Sequence, residues 1–236
     1  YLLELNRHAG RTIRWLSRYA TQTFGAFPET GGVAAQWIGV PVRFTAADKV
    51  RLSPEAAKEQ LGFPVKSPLI LILGGSQGSS ALNRAVEACI QTWLEAGAAV
   101  LWQVGRSAPS LSHPCVQIVP FINDMSLAYT AADIVISRAG GSTLGELAWW
   151  GKPTVLVPSP YVAEDHQRKN AAFWAERQAA LVVEESAPHT LQEAVLRLLI
   201  DHELRRRLAD TVQKLAHPNA AEKLAEYIYT QLYGTA

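Results

Sequence analysis

Two glycine corners, each directly after an apolar run, hold the residues of this chain best suited to chemistry. Gly74-Gly75-Ser76-Gln77-Gly78 follows Leu69 to Leu73, and Arg138-Ala139-Gly140-Gly141-Ser142-Thr143 follows Ile134 to Ser137. The runs read as buried parallel strands, apolar on both faces, and the glycines let the backbone pass close to a ligand. Each corner opens a helix. Ser79 or Ser80 begins one that ends near Glu95; Ser142 or Thr143 is expected to cap another, which Gly151 and Pro153 stop. Such helix starts aim unpaired N–H groups and a positive dipole end at one crevice, where phosphate is stabilised. Glu146, one turn into the second helix, would repel phosphate but can accept hydrogen bonds from vicinal hydroxyls. Thr143 and Glu146 therefore read as the phosphate end and the ribose end of one nucleotide site. The first corner matches neither GxGxxG nor GxxxxGKS/T, which disfavours a dinucleotide fold and a phosphate-cleaving P-loop.

The elements that must position these groups alternate from Pro68 onward. Strands are expected at Ala98 to Val104, Val116 to Phe121, Thr154 to Val157 and Ala180 to Val183. Between them, Pro120 to Met125 makes a strand-to-helix corner that could offer backbone groups to a planar base, with Asn123 or Asp124 capping a helix to Ala131. A further helix runs from Asp165 to about Gln178; Asp165 could cap it, and Gln167, both donor and acceptor, suits sugar hydroxyls. Helices near Thr190 to Ile200, Glu203 to Leu215 and Ala220 to Leu232 close the chain, with Glu203 and Arg207 as a helical ion pair. The fold class is α/β, a Rossmann-like doubly wound parallel sheet with its ligand at the strand C-terminal ends. Ahead of it, Leu5 to Phe24 reads as one amphipathic helix whose Arg7, Arg11, Arg14 and Arg18 form a solvated face, a pattern that also suits an anionic membrane surface. Pro28 to Gly32 is a turn, Ala35 to Ile38 a short strand, and Asp48 to Pro54 a linker or loop.

Composition narrows the function classes. The 236 residues are 48% hydrophobic and 18% charged, as a globular chain with a sizeable core requires. A formal net charge of +1 lacks the concentrated basic excess of a nucleic-acid binder. Cys89 and Cys115, without CxxC spacing, indicate reduced thiols and no structural zinc. The longest apolar run is too short to cross a bilayer, so a cytoplasmic location is expected. The absence of an initiator Met, with a helix expected to be already under way at Tyr1, suggests a chain that begins inside a longer protein.

Taken in order, GGSQGSSALN at 74 to 83, PFINDM at 120 to 125, SRAGGSTLGE at 137 to 146 and EDHQRKNA at 164 to 171 resemble the MurG family, and LELNRHAGR at 3 to 11 and IGVPVR at 38 to 43 extend the resemblance toward the N-terminus. These are inverting glycosyltransferases of the GT-B type that move N-acetylglucosamine from UDP-N-acetylglucosamine to lipid I, forming lipid II of peptidoglycan at the cytoplasmic face of the plasma membrane. The resemblance implies residues 1–44 as the end of an acceptor domain, 45–67 as linker and 68–236 as the Rossmann-like donor domain. It implies that Ile122 presents its backbone to uracil, Glu146 holds the ribose, Ser76 and Thr143 face the diphosphate, Gln167 meets the sugar hydroxyls, Asn6 the acetamido side, and Arg43 the diphosphate region. Gly141, Ser142, Leu144 and Gly145 belong to the same binding segment. No cofactor or metal is expected; partners are the two substrates and a peripheral membrane contact, with no nucleic acid. Two departures stand out. Gly141 replaces the family's usual alanine, which could loosen the loop, and the family's glycine-rich GGH motif and proposed base are absent, leaving the catalytic residue unassigned and His166 as a helix-start polar group. A UDP-N-acetylglucosamine 2-epimerase of the same fold, or a nucleotide-sugar binding subunit that needs a partner chain, would be the alternatives.

Overall fold

A computed structural model describes residues 1–106 and 109–234. Its larger sheet has six parallel strands: β4 (Leu69–Leu73), β5 (Ala99–Gln103), β6 (Val116–Val119), β7 (Ile134–Ser137), β8 (Thr154–Leu156) and β9 (Leu181–Val182), in the spatial order β6-β5-β4-β7-β8-β9. That is a doubly wound order, and its direction reverses between β4 and β7, the pair that carries the two glycine corners. Alternate residues of the strands feed two cores. Leu69, Leu71, Val135 and Leu156 pack with α5 (Met125–Ala131), α6 (Gly141–Trp150) and α7 (His166–Glu176); Ile70, Ile72, Ile136 and Val155 pack with α4 (Ser80–Glu95), α8 (Pro188–Ile200) and α9 (His202–Gln213). Burial on both faces is why these strands read as continuous apolar runs.

The N-terminal part departs from expectation. Leu5 to Phe24 is not one helix: β1 (Leu2–Glu4) and β2 (Thr23–Gly25) pair in parallel, β3 (Gln36–Trp37) adds to β2, and α1 is only Arg11–Leu16, with no buried residue. Tyr1 precedes a strand, so no helix is under way there. Tertiary pairing overrides the helical period, because the Ala9 N–H donates to the Gly31 carbonyl at 2.9 Å and the Gly31 N–H to the Arg7 carbonyl at 2.8 Å. The arginine face is not simply solvated: Arg7 pairs with Glu176 and Arg14 with Glu164, both at 3.2 Å. Nor is the region from 45 to 67 a plain loop. It holds α2 (Ala46–Val50), started by a capping box between Thr45 and Asp48, and α3 (Pro54–Gln60), capped by Ser53. The buried Lys58 of α3 pairs with Asp133 at 2.6 Å. The final helix, α10 (Ala220–Tyr233), reaches back to the first strands, where the Tyr227 ring lies edge-on to Tyr1 and Phe24. Within α9, Glu203 pairs with Arg206 at 2.8 Å, not with Arg207.

Candidate functional site

The crevice is built from the turns that follow β4, β5, β6, β7 and β8. After β7 the chain turns at Arg138 and enters α6 at Gly141, two residues earlier than a Ser142 cap and three earlier than a Thr143 cap would place the start. The N-cap is Gly140, which has no side chain to offer, so Ser142 and Thr143 lie inside the first turn. The N–H groups of that turn are consequently not satisfied by any cap side chain, which leaves them for an anion together with the dipole. By contrast α4 is capped by Ser79, whose Oγ accepts the Leu82 N–H at 3.3 Å. Gly78 and Gly105 make the turns after β4 and β5 touch: a Cβ on Gly78 would sit 2.1 Å from the Val104 carbonyl oxygen, and one on Gly105 2.2 Å from the Gln77 carbonyl oxygen.

Glu146 is half-buried on α6. One carboxylate oxygen accepts the Tyr129 hydroxyl at 3.0 Å, and the other makes no hydrogen bond among the described residues. Burial pushes its carboxyl above the usual range, while the Tyr129 hydroxyl and the Arg43 charge pull it partway back. Burial, reinforced by Glu146, likewise raises the Tyr129 phenol well above its ordinary value. Arg43, exposed, holds its guanidinium 5.3 Å from the Phe44 ring centre and close enough to Glu146 to act on both ionisations. A carboxylate and a guanidinium are thus brought together from distant parts of the sequence.

The other expected residues fall as follows. Ser76 is exposed on the turn after β4. Ile122 is buried at the corner after β6, and its N–H donates to the Gln103 side chain at 3.0 Å; the neighbouring Phe121 ring is 52% exposed, so it is Ile122 that packs. Asp124 caps α5 through the Leu127 N–H. Gln167 accepts the Ser159 N–H through Oε1 at 2.9 Å, leaving its Nε2 as a donor. Asp165 takes a left-handed conformation and forms no side-chain cap, and the His166 Nδ1 lies 2.9 Å from the Ala163 carbonyl oxygen. Asn6 is held on both sides: its Nδ2 donates to Glu4 at 2.9 Å and its Oδ1 accepts from Asn170 at 3.0 Å. The side chain of Leu144 is buried in the core, and Gly145 lies against Val40, so these two residues face an apolar cavity of about 140 Å³ with Trp37 and Trp149. A Cβ at Gly141 would meet the Leu5 carbonyl oxygen at 2.2 Å, so the glycine admits the N-terminal segment to close contact.

Several residues that organise the site carried no assigned role in the sequence. Buried Asn170 ties the N-terminal segment to the β7 corner by donating to Asn6 and to the Ala139 carbonyl and accepting the Arg7 N–H. Buried Arg138 donates to the Val157 carbonyl at 2.9 Å and also contacts Ser79 and Glu185, linking the turns after β4, β7, β8 and β9. Gln103, the last residue of β5, joins the β4 and β6 turns. Their only signal in sequence is a polar residue at the end of an apolar strand or inside a helix. Among the described residues, no group of three or more His, Cys, Asp or Glu side chains could hold a metal ion.

Residues 69–224 match the model of the glycosyltransferase family 28 C-terminal domain. A relative from Rippkaea orientalis named UDP-N-acetylglucosamine--N-acetylmuramyl-(pentapeptide) pyrophosphoryl-undecaprenol N-acetylglucosamine transferase is 35% identical over 96% of this chain and 65% of its own length. The crystal structure of Acinetobacter baumannii MurG is 31% identical, with a TM-score of 0.76 over 97% of this chain and 66% of the other. The glycosyltransferase of kitacinnamycin, at 18% identity and a TM-score of 0.66, shares the fold. The chain therefore spans just under two thirds of the length of such relatives.

Proposed function

We propose, from the premise that this chain belongs to glycosyltransferase family 28 and to its MurG-type members, that it is the donor-binding part of an enzyme transferring N-acetylglucosamine from UDP-N-acetylglucosamine to lipid I. The observation that carries this reading is the α6 start: a helix N-terminus without a side-chain cap at the sheet's switch point, with a half-buried carboxylate one turn further on. A diphosphate fits the first turn at Gly141, Ser142 and Thr143, with Ser76 across the crevice and Arg43 adding charge. The free oxygen of Glu146 accepts from the ribose hydroxyls, the corner at Ile122 receives uracil, and Gln167 and Asn6 meet the sugar. In the transfer, the acceptor hydroxyl attacks the anomeric carbon with inversion. The bond to the diphosphate breaks and UDP leaves with its electron pair. Stabilising the charge that develops on the leaving diphosphate is what the α6 dipole and its N–H groups contribute. The base that takes the acceptor's proton is not assigned to this chain. We divide the chain into residues 1–44, 45–67 and 68–236 as above, with α10 returning to the first part.

A peripheral contact with the cytoplasmic face of the membrane fits the surface of α1 and the turn after it. Trp15 and Tyr19 are 58% and 76% exposed and stack edge-on, beside the exposed Arg11 and Arg18. No helix among the described residues is long and apolar enough to cross a membrane. The naming of the relatives as transferases favours this reading over an epimerase or a separate binding subunit. The test is calorimetric titration of the chain with UDP-, ADP- and GDP-sugars. UDP-N-acetylglucosamine is expected to bind with preference over the purine nucleotides, and equal competition by those nucleotides removes the base assignment. Transfer to lipid I is expected only from a polypeptide that also carries the portion of the relatives this chain does not span, since holding the acceptor in line can supply about 7–11 kcal/mol.

A further inference from the structure

We infer that Gln103 is a positioning residue that sets the base corner and the phosphate loop of the nucleotide site in register, an inference that rests on the donor site proposed above. Gln103 ends β5, is only 5% exposed, and uses both ends of its carboxamide on backbone groups of two different turns. Its Oε1 accepts the Ile122 N–H at 3.0 Å, and its Nε2 donates to the Gly75 carbonyl at 2.9 Å. The Gly75 carbonyl also accepts the Gly78 N–H at 3.0 Å, so this one oxygen is pinned by two donors.

The consequence follows from peptide geometry. In a trans peptide the carbonyl and the N–H point in opposite directions. Holding the Gly75 carbonyl toward Gln103 therefore turns the Ser76 N–H of the same peptide away, to the open side of the turn where Ser76 is exposed. Gly75 itself has φ +89, a conformation that glycine adopts readily, and no atom lies within 4 Å of where its Cβ would be. Close packing holds the turn at Gly74 and Gly78, while the carbonyl of Gly75 itself is held by the hydrogen bonds from Gln103 and Gly78. At the other end, taking the Ile122 N–H fixes the Phe121–Ile122 peptide at the corner expected to meet uracil. One side chain thus couples both turns. A glutamine spans the gap with one acceptor and one donor; leucine fills similar volume with neither.

The test is Gln103→Leu in the 236-residue chain, titrated with UDP, UMP and CDP beside the wild type, with thermal melting as a check on folding. Two ratios are read: the advantage of UDP over UMP, which reports the second phosphate, and that of UDP over CDP, which reports the base. Loss of the register is expected to weaken UDP by about tenfold and to shrink both ratios, because both turns lose their setting together. If Gln103 is merely structural, the variant melts lower while both ratios stay at the wild-type value, and the inference is overturned. A change confined to one ratio overturns it equally, since it removes the coupling. A wild-type chain that shows no preference for UDP over CDP sinks the donor-site reading itself, an outcome visible before the variant is considered.

Discussion

Replacing Glu146 by glutamine separates what this residue does for the fold from what it does for a ligand. The new side-chain oxygen can still accept the Tyr129 hydroxyl, so the 3.0 Å contact in the core survives. What disappears is the negative charge on the oxygen proposed to accept from ribose. Hydrogen bonds to a charged acceptor contribute ~1.5–3 kcal/mol, so the loss of one predicts a roughly tenfold to hundredfold weaker UDP affinity by titration calorimetry. Stability should move the other way. Burial raises the Glu146 carboxyl, so its ionised form is a burden on the folded state. The contribution is intact below pH ~4, the ordinary range of a free glutamate, and is lost as pH rises through the higher folded value. In parallel denaturant titrations the wild type is therefore expected to lose ground to the Glu146→Gln variant between acid and neutral pH. Unchanged UDP affinity would take Glu146 out of the ribose site. A variant less stable than wild type at pH 7 yet equal to it at pH 4 would refute the electrostatic reasoning.

Single contacts elsewhere set further outcomes. Gly141→Ala should cost ~1–3 kcal/mol in denaturant unfolding, because its Cβ would lie 2.2 Å from the Leu5 carbonyl oxygen and backbone must shift; a neutral result means the N-terminal segment gives way freely. Burial lowers the Lys152 ammonium to about 8. Its folded value lies below its unfolded one, so its stabilising contribution is present above pH ~10.4 and is lost as pH falls to about 8. Lys152→Met should therefore gain most on wild type below pH 8, with the gap narrowing in alkali; a gap independent of pH contradicts the assignment. Exchanging Trp15 and Tyr19 for serine should lower sedimentation with vesicles containing anionic lipid severalfold, and equal sedimentation of both proteins would remove the proposed membrane contact at α1.

Residue types and local period alone determined the parallel strands, the glycine corners and the helix stops. A strand buried on both faces must be apolar throughout, and Leu69 to Leu73 and Ile134 to Ile136 are. Gly151, left-handed at φ +61, ends α6 where only its position in the sequence was needed to expect it. Glu146 could be placed beside a phosphate-type helix start for the same reason, since one turn of helix fixes the spacing. Tertiary structure decided what long-range pairing controls. Leu5 to Phe24 has a helical period, yet Arg7 and Ala9 bond to Gly31, and those bonds replace the helix. The capping box at Thr45 was present in the sequence, but it is the burial of Ala57 and Phe63 in the core, with the Lys58–Asp133 pair, that makes the segment part of the body. The supporting shell of the site was hidden for a related reason. Gln103, Asn170, Arg138 and Tyr129 act through backbone groups and side chains that are distant in sequence, and no local spacing reports such partners. The chemistry of a corner is written in its own few residues; its orientation is set by polar side chains delivered from other strands and helices when the sheet assembles.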